Sequence, residues 1–110
     1  MKFFLSGLLG LLLSTQLWSA DFQAELTSEA LEGAWLITHM GGEVDEEGDL
    51  WEFEKGLFYQ NLGGRRIAPD KYTVKGEVVD LDGYHITVLA FDGKTMRADM
   101  AGFEYQLVKQ

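Results

Sequence analysis

Glycine turns recur at close spacing along this chain, and the segments between them are too short and too regularly alternating to be anything but β-strands. Lys55–Gly56 separates "LWEFE" (50–54), with Trp51 and Phe53 on one face and Glu52 and Glu54 on the other, from "LFYQNL" (57–62). Asp82–Gly83 precedes "YHITVLAF" (84–91), and Asp92–Gly93 precedes "KTMRADM" (94–100). "AWLITHM" (34–40), "KYTVKGEVVDL" (71–81, with Gly76 as a bulge or bend) and "FEYQLV" (103–108) complete seven or eight strands in series. Only one helical signal stands out: Thr27 or Ser28 caps "SEALEG", and Gly33 stops it after one or two turns. Hairpins in series, without crossover helices, predict an all-β fold. The expectation is a small antiparallel up-and-down meander, closed into a barrel to remove its edges, with one short N-terminal helix.

The first residues read differently. Lys2 is followed by an apolar stretch at 3–13, then by Ser14, Thr15, Gln16 and a small-residue exit at Ser19 and Ala20. This pattern predicts a signal peptide over 1–20, cut after Ala20 or Ser19. The apolar run is well short of the roughly 20 residues that span a bilayer. Residues 21–110 would then form a single domain, with no stable membrane span after processing. Removing Lys2 with the leader takes the formal net charge from −9 to −10. Such acidity argues against nucleic acid and against anionic membranes as partners. The chain has no cysteine, so the exported domain must stand on its core alone. A bacterial periplasmic or extracellular location is the expectation.

Gly33, one residue, then Trp35 at the start of the first strand forms a pattern in its own right. With "W-x-F" at Trp51 and Phe53, the glycine turn before "LFY", and the closing "GFEYQLVK", it resembles the small bacterial lipocalin-like (calycin-type) β-barrel domains. The resemblance implies a lipocalin-like barrel with Trp35 as an inward plug at one end. It also implies a basic residue over that tryptophan, for which both Lys109 and Arg97 are candidates. Finally, it implies a small apolar ligand inside the barrel or a protein at its mouth. The chain is shorter than a full lipocalin and has no long C-terminal helix.

Chemistry is sparse. His39 and His85 lie on separate strands without metal-ligand spacing, so no metal and no cofactor are expected. Glu43, Asp45, Glu46, Glu47 and Asp49 crowd one loop, but Gly48 falls at the wrong place for a calcium loop. No serine sits on a nucleophile elbow, and no pair of carboxylates stands out for hydrolysis. The expectation is a non-enzymatic binding module, with Trp51, Phe53, Phe58 and Tyr105 lining the interior and Arg65 and Arg66 near the mouth. The alternative is a protein–protein interaction module, an inhibitor or accessory factor, with a filled barrel. Apolar residues on both faces of two strands leave room for an oligomer: Leu57 and Tyr59 oppose Phe58, and Leu89 and Phe91 oppose Ile86 and Val88.

Overall fold

A computed structural model of the chain describes residues 21–110; the expected signal segment, 1–20, lies outside the described residues. Helix α1 (Ser28–Leu31) is followed by ten strands: β1 (Gly33–Met40), β2 (Glu43–Val44), β3 (Leu50–Glu54), β4 (Leu57–Leu62), β5 (Arg65–Arg66), β6 (Asp70–Lys75), β7 (Val78–Leu81), β8 (His85–Phe91), β9 (Thr95–Met100) and β10 (Phe103–Lys109). All strand pairings are antiparallel. Eight strands form a closed ring, β1-β3-β4-β6-β7-β8-β9-β10, shut by the pairing of β10 with β1. The two-residue strands β2 and β5 are appendages on β1 and β4.

The alternation of each strand dictates what faces inward. Trp35 and Ile37, Trp51 and Phe53, Phe58, Tyr72, Val79 and Leu81, Ile86 and Val88, Met96 and Ala98, and Tyr105 and Leu107 are all buried. Two strands break the simple period. Ala98 faces Val88 while Arg97 faces Ala90, so Leu89 is an extra residue, and Phe91 returns to the inner face beside Ile86 and Val88. The sequence expectation had placed Phe91 on the opposite face; the bulge corrects it, and Phe91 is 1% exposed. Likewise Gln106 faces His39 and Leu107 faces Ile37, leaving Thr38 as the extra residue of β1. Gly76 marks a full reversal rather than a bend: it divides 71–81 into β6 and β7, paired from Tyr72–Leu81 to Lys75–Val78.

Successive reversals sort the connections to two ends. One end carries α1, the chain terminus, and the turns at Lys55–Gly56, Gly76–Glu77 and Asp92–Lys94. The other carries the loops 41–49 and 63–69 and the turns 82–84 and 101–102. The helix end is plugged. Thr27 caps α1, its hydroxyl accepting from Ala30 N at 3.0 Å, and Leu31 is fully buried. Residues 21–23 lie along the end of β8, where Phe91 N donates to Asp21 O at 2.7 Å and Gln23 N donates to Phe91 O at 2.9 Å.

Trp35 is the centre of this plug. It is fully buried, its Nε1–H donates to Leu31 O at 2.8 Å, and its ring lies 5.8 Å from that of Phe91. Lys109 faces Trp35 across the closing seam. Its Nζ donates to Ala30 O at 3.0 Å and stands 5.5 Å from the Trp35 ring. Of the two basic candidates, the register therefore selects Lys109, whereas Arg97 pairs with Glu104. Gly33 is explained by the same contact. Its φ is +122°, and a Cβ there would lie 3.2 Å from Lys109 Cε. Trp35→Ala should cost about 3–5 kcal/mol in urea unfolding; a loss below about 1 kcal/mol would remove the plug role from this side chain.

Candidate functional site

The interior is occupied by the protein's own rings. Trp51, Phe53 and Phe58 are each 1% exposed and Tyr105 is 8%. Tyr105 packs at a tilt against Trp51 at 4.8 Å between centroids, Trp51 meets Phe58 edge-on at 5.8 Å, Phe58 meets Phe53 at 5.1 Å, and Phe53 meets Tyr72 at 5.2 Å. These spacings are those of directly packed aromatics, so the chain of five rings is continuous from Tyr105 to Tyr72. Cross-strand pairing aligns it: Trp51 faces Trp35 on β1, and Phe53 faces Phe58 on β4. The four interior residues named from the sequence are thus brought together, in contact with one another. Among the described residues, no charged side chain is buried with them.

Arg65 and Arg66 part company. Arg66 lies on the outer wall, where its Nε donates to Glu52 Oε1 at 2.8 Å, its terminal nitrogen reaches Glu54 Oε1 at 2.8 Å, and its guanidinium covers the Tyr59 ring at 3.8 Å. These hydrogen bonds hold the Glu54 carboxyl below its ordinary value and push the Arg66 guanidinium up. The pairing follows from the strand period, because Glu52 and Glu54 point away from the core occupied by Trp51 and Phe53. Arg65, opposite Leu62, is exposed and makes no ion pair among the described residues.

Three tyrosine hydroxyls carry polarity into the core. Tyr84 donates to Asp70 Oδ2 at 2.7 Å, tying the start of β8 to the start of β6. Tyr72 has a buried hydroxyl without a hydrogen-bond partner. It borders an open groove of about 1050 Å³ between residues 22–29 and the β6–β7 hairpin, lined also by Phe22, Leu26 and Val74. Tyr105 rises from the ring stack toward the loop end. Burial raises all three phenols above their ordinary value, assisted at Tyr84 by Asp70, at Tyr72 by Glu32 and Glu29, and at Tyr105 by Asp45 and Asp99.

No protein-family model matches the chain, and no curated protein matches its sequence. The barrel itself, closed with eight antiparallel strands and plugged by a tryptophan under a lysine, is compatible with a lipocalin-like barrel.

Sequence reasoning missed the exposed apolar rim at the loop end: Met40, Val44, Leu62, Ile67 and Phe103. A signal was present, since each lies next to or within two or three residues of a glycine pair or turn ("MGGEV", "LGGRRI", "AGF"), where polar residues are the rule.

Two outcomes follow from this geometry. Arg65→Ala should leave the melting temperature unchanged while Arg66→Ala lowers it slightly, both read by thermal denaturation; a large fall with Arg65→Ala would make the loop structural. A phenol whose folded value is raised contributes stability that is complete below its unfolded value of about 10 and is lost as the pH climbs beyond it. The domain should therefore weaken above about pH 10, and Tyr84→Phe should flatten that decline in pH-dependent urea titrations. An unchanged alkaline slope in this variant would contradict the assignment.

Proposed function

We propose that the protein is an exported, non-enzymatic module with a lipocalin-like (calycin-type) barrel that acts by binding another protein on its outside. The observation that carries this reading is the continuous run of packed rings from Tyr105 through Trp51, Phe58 and Phe53 to Tyr72. A ligand-carrying barrel keeps its centre free and places a few polar groups to orient the cargo. Here aromatic side chains stand where cargo would lie, and the buried core is apolar. Displacing them would forfeit ring packing worth about 0.5–1.5 kcal/mol per pair, beyond the area they bury.

One observation favours a second reading, a small ligand held outside the barrel. The unpartnered Tyr72 hydroxyl beside the groove at the helix end is a buried donor that an acceptor-bearing apolar molecule would satisfy.

The discriminating experiment is a titration of the exported protein with N-phenyl-1-naphthylamine, an uncharged apolar fluorophore, alongside its native mass spectrum. The expected outcome is a bare protein mass with the leader removed, recovered from the periplasmic fraction, and no saturable fluorescence rise. Saturable uptake with quenching of tryptophan emission would overturn the filled barrel. Saturable uptake abolished by Tyr72→Phe, with tryptophan emission intact, would establish the groove reading instead.

A further inference from the structure

Of the large apolar side chains that remain exposed among the described residues, Met40, Val44, Leu62, Ile67 and Phe103 stand at the loop end of the barrel, and only Val108 lies elsewhere. Strand pairing and hydrogen bonds join them into one rim. Met40 faces Tyr105 across the closing seam, and Val44 folds back opposite His39. Gly41 N donates to Glu104 O at 2.8 Å, which brings loop 41–49 beside Phe103. On the far side, Ile67 N donates to Gln60 O at 2.7 Å next to Leu62. Gly63 N donates to Asp49 Oδ1 at 3.0 Å, which ties loop 63–69 to loop 41–49. Concentrating exposed apolar groups at one end of a small acidic domain is costly in water unless something covers them.

The charge around this rim identifies the kind of cover. Glu43, Asp45, Glu46, Glu47 and Asp49 all belong to loop 41–49, and none of the ion pairs among the described residues neutralises them. Opposing them at the rim is Arg65, an exposed guanidinium with no ion pair among the described residues. Independently of the loop, Tyr105 is 92% buried (8% exposed) with its ring on Trp51 and its hydroxyl without a hydrogen-bond partner among the described residues. Its surroundings place the phenol within the field of Asp45 and Asp99. Beside Met40 there is thus a phenol in a negative field, with no hydrogen bond among the described residues. A second copy of this chain would bring another acidic loop against the first, and an anionic lipid or nucleic acid would be repelled.

Building on the filled-barrel reading above, we propose that the loop end is the docking surface for a basic, amphipathic segment of a partner protein. Its apolar side chains cover Met40, Val44, Leu62, Ile67 and Phe103. Its lysines or arginines meet the carboxylates of loop 41–49 and the Tyr105 hydroxyl. Apolar contact supplies the affinity, while the charge sets the encounter rate and excludes acidic competitors.

The test is a two-dimensional amide NMR titration of the isotope-labelled mature protein with a helical leucine–lysine peptide. A leucine–glutamate peptide of the same length serves as the control. With the basic peptide, shifts should be confined to residues 40–47, 62–67 and 101–105, and the acidic peptide should produce none. Phe103→Asp, at a half-exposed position that leaves the fold intact, should weaken binding by about tenfold or more. Asp45→Asn combined with Glu46→Gln and Glu47→Gln should weaken it and flatten its salt dependence. Equal binding of both peptides at the rim overturns the charge assignment. Shifts on residues 22–29 and the β6–β7 hairpin overturn the docking surface while leaving a protein-binding barrel standing. A dimer in sedimentation that Phe103→Asp dissolves gives the rim to a second copy and overturns the proposal. Movement of the Trp51 indole N–H with the apolar fluorophore, rather than with the peptide, removes the filled-barrel reading on which the proposal rests.

Discussion

The structure depends on the pairing of its last strand with its first. Lys109 lies opposite Trp35 and Tyr105 opposite Met40, so β10 and β1 seal the ring across most of the described chain. That seam does two jobs at once. It satisfies the backbone donors and acceptors that an open eight-strand sheet would leave on two edges. It also carries Lys109 to the place where its ammonium can bond Ala30 O and lie near the Trp35 ring. Trp35, held in turn by Leu31 O, then anchors α1 over the barrel end. Gly33 supports all of this, because its backbone angle of +122° strains any side chain and a Cβ there would crowd Lys109 at 3.2 Å. Contacts this distant in sequence carry a large loop-closure entropy and slow folding.

With one end plugged and the interior taken up by rings, the remaining chemistry is displaced to the surface. A domain of this size without disulfides has few sources of stability other than its core. Aromatic residues give the most burial per position, and filling the barrel with them is the direct way to secure the fold. The consequence is functional. A small barrel that uses its interior for stability has its walls and rims left for recognition. Its walls are largely occupied: Arg66 is fastened to Glu52 and Glu54, Arg97 to Glu104 and Lys75 to Asp80. The loop end, with apolar side chains beside unneutralised carboxylates, is the part that the fold leaves unsatisfied.

Strand positions, the short capped helix and the inward set Trp35, Trp51, Phe53, Phe58 and Tyr105 were legible because alternation and glycine turns are local signals. Legibility failed where one extra residue shifts the period. Nothing in "HITVLAF" announces that Leu89 is skipped by the neighbouring strand, so Phe91 reads as outward until the β8–β9 register is known. Gly76 is ambiguous for a similar reason, since a bend and a hairpin differ only in what the flanking residues pair with. The arginine pair shows a third limit. Adjacent in sequence, the two side chains separate because only Arg66 falls opposite Asn61, within reach of Glu52 and Glu54.

The sequence by itself determined the class of fold, the number and order of the ring strands to within one, and most of the residues that must be buried, because each follows from local periodicity and turn chemistry. Tertiary structure decided which basic residue covers Trp35, whether the ring of aromatics is a lining or a filling, and which exposed apolar residues share a rim. All three depend on the register of strands far apart in the chain. A one-residue slip at the seam would send every side chain of β10 to the other face, and no local pattern encodes that choice.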